Sequence, residues 1–243
     1  MMKKWGLTIL ALGIFFTACK NDDDGIDELP VEEQNQVDDD AIIEYLKNHY
    51  FDSEKGLIKE FSDIDSTDND YPTLHSQGTK LPSGVWIVKR PGVIAEGPIA
   101  DDNTKDSILI SHETKAFKAS YKDLPEGGKP YRPISVFFST LNPSGTPAWD
   151  PIFYYVHLNA TQIDNGINLR HYVMEGFTEG LKHFNSTNTN GSDLYNFQGA
   201  IVVPSRLAYG RDIDYLSGSR NYSCRDCSFV VNFELHKVIE RIP

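Results

Sequence analysis

The sequence predicts an α+β fold: an antiparallel β-sheet wrapped around one short helix, with an N-terminal helix and a disordered tether ahead of it. Two periodicities carry the prediction. Val231–His236 alternates apolar and polar residues, as strands do, and in Ser107–Thr114 Ile108, Ile110 and His112 share one face and Leu109, Ser111 and Glu113 the other. Val173, Met174, Phe177, Leu181 and Phe184 instead recur at helical spacing. A few antiparallel strands wrapped on such a helix form one α+β layer pair. With 13 Phe and 12 Tyr the chain has enough aromatic bulk for a core without disulfide staples.

The first residues read as an export signal. Lys3 and Lys4 precede an apolar run from Trp5 to Phe16 that is short for a membrane span, and Thr17-Ala18-Cys19 follows. Residues 1–18 are therefore expected to be a lipoprotein signal peptide, cleaved so that Cys19 becomes the acylated N-terminus. Residues 19–37 are polar and acidic with little to bury, and are expected to form a flexible tether. Lys20-Asn21-Asp22-Asp23-Asp24 resembles the acidic export tag of Bacteroidota lipoproteins, which implies an outer-membrane anchor, surface-exposed or periplasm-facing.

The remaining elements follow in order. Asp38-Asp39-Asp40 is expected to cap a helix over Ala41–Lys47, with Ile42, Tyr45, Leu46 and His49 on one stripe. Residues 38–80, this helix and the polar loop Ser62–Gly78, form an extension, and the main domain spans 81–243. Val85–Val88, Ser107–Thr114, Val136–Thr140, Ile152–Val156, Ala200–Val203 and Phe229–Leu235 are β-prone. The register of Ile152–Val156 is left open, because a one-residue slip reverses both faces. In the last strand Val231, Phe233 and Leu235 are expected inward, and Asn232, Glu234 and His236 outward.

Cys224 and Cys227 form a C-x-x-C just before a strand. A redox pair favours a helix start, and a zinc site needs two further ligands that no second C-x-x-C or H-x₃-H supplies. A disulfide or two packed thiols is the favoured reading, and no metal is expected. The formal charge of −12, more negative still once Lys3 and Lys4 leave with the signal, argues against nucleic acid and against electrostatic adhesion to anionic lipid. Membrane attachment then rests on Cys19. Nothing in the sequence reports the oligomeric state.

Three segments carry a family resemblance. Tyr172-Val173-Met174-Glu175-Gly176-Phe177-Thr178-Glu179-Gly180-Leu181 is similar to V-I-x-G-W-x-E-G-L, and Val203–Gly210 to I-P-x-x-L-A-Y-G. Phe229–Leu235 is similar to L-x-F-x-V-E-L. In this order they resemble the FKBP-type peptidyl-prolyl cis-trans isomerases. The resemblance implies activity on Xaa–Pro bonds of polypeptide clients without a cofactor. It places Phe177 on the pocket floor in place of tryptophan, Val173 and Met174 beside it, Phe137 as a wall and Tyr209 as a hydroxyl donor. The Met174 N–H would bind a substrate carbonyl. Ala208 flanks the site. His112 stands at the family's tyrosine, Phe138 at its aspartate and Val231 at a usual aromatic, and the loop Arg211–Tyr222 differs from the family's. These departures support an alternative, a catalytically weak module of the same fold that holds clients or an envelope partner.

Overall fold

A computed structural model describes residues 28–64, 66–122, 128–141, 145–191, 195–212 and 224–242, apart from the side chains of 134 and 135. The signal peptide, Cys19 and most of the loop 211–222 lie outside the described residues. The chain divides into Met1–Pro30 and Val31–Pro243, and the second unit holds every element below.

Helix α1 is Val31–Lys47, followed by the hairpin β1 (His49–Phe51) and β2 (Ile58–Glu60), then α2 (Leu74–Gln77). Next come β3 (Gly78–Lys80), β4 (Trp86–Lys89), β5 (Asp106–Ala119), β6 (Tyr131–Ser139) and β7 (Ala148–Trp149). Helices α3 (Ala160–Asp164) and α4 (Glu175–Leu181) precede β8 (Gly199–Val203) and β9 (Cys227–Glu240). The main sheet is antiparallel in the order β3-β4-β8-β9-β5-β6, with β7 on β5. The fold is α+β.

Alternate residues of the strands enter two different cores. Ile87, Ile201, Val203, Val231, Phe233 and Leu235 pack with Met174, Phe177 and Leu181 around α4. Trp86, Val88, Ala200, Val202 and Val230 pack with Ala41, Ile42, Tyr45 and Leu46 of α1. The period-two geometry of a strand thus gives each face its own helix, and the sheet lies between them. Helix α4 lies close on β8 because it has glycine at two successive turns. A Cβ on Gly176 would sit 2.6 Å from Val203 Cγ1, and one on Gly180 2.6 Å from Ile201 Cγ2.

Several expectations are corrected. Residues 31–37 belong to α1, not to a tether, and Asp38 lies inside the helix instead of capping it. The backward extension has a cause: Gln34 donates to Asp38 at 2.8 Å, and Ser205 donates to the same carboxylate from across the fold. Ile152–Val156 is not a strand. The N–H groups of Tyr154 and Tyr155 both donate to the Pro151 carbonyl, which turns the chain and buries Phe153 and Tyr154 side by side. Two neighbouring residues of a strand point to opposite faces, whereas Phe153 and Tyr154 enter the same core, so a turn is required.

Asn232, Glu234 and His236 do not face solvent. Asn232 Nδ2 donates to the carbonyls of Gly56 and Gly199, and its Oδ1 accepts from Ile58 N–H. Glu234 accepts from Thr187 Oγ1 (2.9 Å) and Asn196 N–H (2.6 Å). Burial pushes Glu234 up, but hydrogen bonds from His236 and Asn196 outweigh it and leave the carboxyl below its usual value. Buried polar groups have to be satisfied internally, and Gly56, Ile58, Thr187 and Asn196 do this here.

Candidate functional site

The proposed pocket residues come from separate segments and meet on the α4 side of the sheet. Phe137 of β6 has its ring centroid 4.9 Å from that of Phe229 and 6.1 Å from that of Tyr209. Phe138 is T-shaped against Phe137 at 4.4 Å. Phe177 of α4 meets Phe153 at 5.0 Å and Phe233 at 6.1 Å. Tyr209 follows the 3₁₀ turn Ser205–Leu207 and packs edge-on to Phe229 at 5.5 Å. Ring contacts therefore run continuously from Tyr209 to Phe177.

Burial separates these residues into two groups. Met174, Phe177 and Val231 are 0 % exposed and belong to the core. Phe137, Phe138, Val173 and Ala208 are half-buried. Val173 and Ala208 line a cleft of about 250 Å³ with Leu169, Arg170 and Glu175. A larger cleft of about 640 Å³ adjoins it at Arg170, Glu175 and Ala208 and reaches Tyr209, Arg211 and Asp212. The solvent-facing approach to the site thus runs past Val173, Ala208 and Tyr209.

Two donors that the resemblance assigns to a ligand are engaged within the chain. The Met174 N–H donates to the Phe153 carbonyl at 2.8 Å. The Tyr209 hydroxyl donates to the Tyr172 carbonyl at 2.8 Å. The sequence left open which aromatic of Ile152–Val156 enters the site, and contacts with Phe177, Phe138 and His112 single out Phe153.

His112 is 3 % exposed, and burial pushes its imidazole down to about 4, so the ring is neutral near pH 7. Its Nδ1 lies 3.0 Å from Thr114 Oγ1 and its face meets the Phe153 ring at 5.0 Å. Charges stay at the rim, where Arg170 pairs with Asp212 (3.2 Å), Arg206 with Asp39 (3.0 Å) and Arg211 with Asp226 (2.9 Å). Cys224 and Cys227 are buried thiols without a disulfide between them. The hydrogen bond between Cys227 and Cys224, then burial, push the Cys227 thiol up, away from nucleophilic reactivity. Among the described residues no group of three His, Cys, Asp or Glu side chains is placed to hold a metal.

On the other face Ser111 Oγ lies 2.8 Å from His236 Nε2, and His236 Nδ1 lies 3.3 Å from Glu234 Oε1. This resembles a hydrolytic relay only in outline. Ser111 is 2 % exposed, and the cleft of about 340 Å³ nearby is lined by Glu234 and His236 but not by Ser111.

No protein-family profile matches the chain, and no curated protein matches it. Solved structures that resemble it include FkpA from Escherichia coli, at 17 % identity and TM-score 0.35, covering 68 % of this chain and 52 % of that one. The match thus spans about half the length of FkpA. A peptidyl-prolyl cis-trans isomerase from Pseudomonas syringae pv. tomato is 13 % identical with TM-score 0.39, covering 88 % and 98 %. AtFKBP13 is 19 % identical with TM-score 0.31, covering 66 % and 97 %. None of these likenesses assigns a residue or an activity to this chain.

Proposed function

We propose that this chain is an FKBP-type peptidyl-prolyl cis-trans isomerase acting on Xaa–Pro bonds of exported or envelope polypeptides. The observation that supports it best is the convergence of Phe137, Met174, Phe177 and Tyr209, from segments far apart in sequence, on one apolar aromatic cluster. Amide rotation has a barrier of about 18–20 kcal/mol because the planar form is resonance-stabilised. Twisting removes conjugation and makes the carbonyl less polar, so a dry aromatic site favours the twisted state over the planar one. Each roughly 1.4 kcal/mol of that preference is a tenfold gain in rate.

In this reading Phe177 supports the prolyl ring and Phe137 closes one side. The Met174 N–H and the Tyr209 hydroxyl hold the peptide carbonyls. No nucleophile, metal or cofactor takes part. The N-terminal signal supports export, with acylated Cys19 holding the domain at the outer membrane.

A second reading, a client-holding module without turnover, is favoured by the internal engagement of both ligand donors. An isomerisation assay on short Xaa–Pro peptides with the mature chain separates the two. Acceleration that falls at least tenfold in Tyr209→Phe supports the enzyme. Peptide binding without acceleration by the folded chain assigns the holding role instead.

A further inference from the structure

The segment after β7 packs Phe153 against Phe177 of the candidate site. Phe153 is 0 % exposed, and its ring stands edge-on to Phe177 at 5.0 Å and 83°, and to His112 at 5.0 Å and 85°. Phe138 lies 6.0 Å away, nearly parallel at 27°. The carbonyl of the same residue accepts the Met174 N–H at 2.8 Å. An apolar ring on the floor, joined to a carbonyl on that particular N–H, is the pair of contacts a prolyl peptide would make.

The backbone around Phe153 is anchored differently from the sheet. Residues 155–159 belong to no helix or strand, and Pro151–Tyr155 is held by a turn. The segment starts at Asp150, a non-glycine residue with φ 42°, in the left-handed region that side chains rarely adopt. The Asp150 carboxylate is fixed by Ser107 Oγ (2.8 Å), Ile108 N–H (3.0 Å) and Arg241 (2.6 Å), so the strap leaves the sheet from a rigid point. Beyond it, Asn103 donates to the Tyr154 carbonyl at 2.8 Å, and the Arg241 guanidinium lies 3.4 Å from the Tyr155 ring centroid.

We propose that Phe153 is a built-in competitor, and that a client enters only when the strap of residues 151–158 swings away from α4 about Asp150. This rests on the isomerase reading, and it explains why the Met174 N–H is engaged within the chain. The site is then regulated by an internal equilibrium. A client's apparent affinity is reduced by the fraction of molecules that are closed, and whatever loosens the strap raises it.

The experiment compares the wild-type mature chain with Phe153→Ala, which empties the site, and with Tyr155→Ala, which loosens the strap under Arg241 and leaves Phe153 in place. Binding of an Xaa–Pro peptide is followed by titration, and hydrogen exchange is read at the Met174 amide. The expected result is at least tenfold tighter binding by Phe153→Ala and a gain of several-fold by Tyr155→Ala. The free Met174 amide should exchange faster in both variants and recover protection when peptide is added. Trp149, half-exposed beside the pivot, should change its fluorescence as peptide binds.

Should Phe153→Ala fail to fold, Tyr155→Ala decides alone. Binding by wild type with no gain in a folded variant overturns the competitor and leaves the isomerase reading standing. Failure of all three folded proteins to bind any Xaa–Pro peptide overturns both.

Discussion

Asp38, in the middle of α1, accepts a hydrogen bond from the Ser205 hydroxyl on the turn that leads into Tyr209. The first helix is thereby tied to the segment that carries a site residue. Arg206, next in the chain, reinforces the tie by donating to Asp39 at 3.0 Å and to the Ser83 carbonyl at 3.2 Å.

The buried Asp38 carboxyl gives the first prediction. Burial pushes it up to about 6, against the lowering effect of hydrogen bonds from Ser205 and Gln34. The folded chain then binds this proton more tightly than the unfolded chain. The associated stability is fully present below the unfolded value of about 4 and is lost as pH rises through about 6. Between pH 5 and pH 7.5 the loss is about 1–2 kcal/mol. Urea midpoints for wild type and Asp38→Asn at these two pH values test this. Wild type should lose more stability over the interval, and equal losses would clear Asp38 of the effect.

Glu234 carries the opposite sign. Its carboxyl is held below the usual range, so its contribution is present above the unfolded value and is lost as pH falls through the folded one. Glu234→Gln replaces an acceptor of Thr187 and Asn196 bonds by a weaker, neutral one, and should cost about 1–3 kcal/mol at pH 7. The difference from wild type should shrink toward pH 4. Thermal melts at both pH values read this directly, and a pH-independent difference would argue against the charge.

Gly180→Ala weighs helix propensity against packing. Alanine gains about 1 kcal/mol in a helix interior, yet its Cβ would sit 2.6 Å from Ile201 Cγ2 and 3.1 Å from its Cγ1. Overpacking a tight core costs about 1–3 kcal/mol, so a net loss is expected in chemical denaturation. A stabilised variant would mean that α4 can lift off β8 at little cost.

The thiols supply a fourth test. Cys224 is 3 % exposed and Cys227 0 %, and the Cys227 thiol is pushed up. Alkylation at pH 8 should be slow in the folded chain and rapid in denaturant. Cys224→Ser should lower stability and leave peptide affinity unchanged. Rapid labelling of the native chain would show that the start of β9 opens readily.

The strands of the sheet were legible where residues of one type recur on one face, as in Val231–His236 and in Ile108 and Ile110, because period two is a local property. Helix α4 was legible in its apolar stripe, although the helix itself ends at Leu181 and leaves Phe184 beyond it. The start of α1 was not. Gln34 and Asp38 are polar residues in an acidic run, and their burial depends on Ser205, far away in sequence. The choice of Phe153 among the aromatics of Ile152–Val156 was equally open, since it lies on a turn where no periodicity indicates a face.

By itself the sequence determined the α+β class, the apolar face of the final strand and the residue types of the candidate cluster, all properties of neighbours in the chain. Only the tertiary structure decided what covers each face. It buried Glu234 and His236 against Thr187, Thr189 and Asn196, placed a helix on either side of the sheet, and joined the Met174 N–H to Phe153 and the Tyr209 hydroxyl to Tyr172. A sequence pattern tells which side chains avoid water. Which acceptor a donor finds is settled by contacts between distant segments, because many acceptors can satisfy the same donor and only packing selects one.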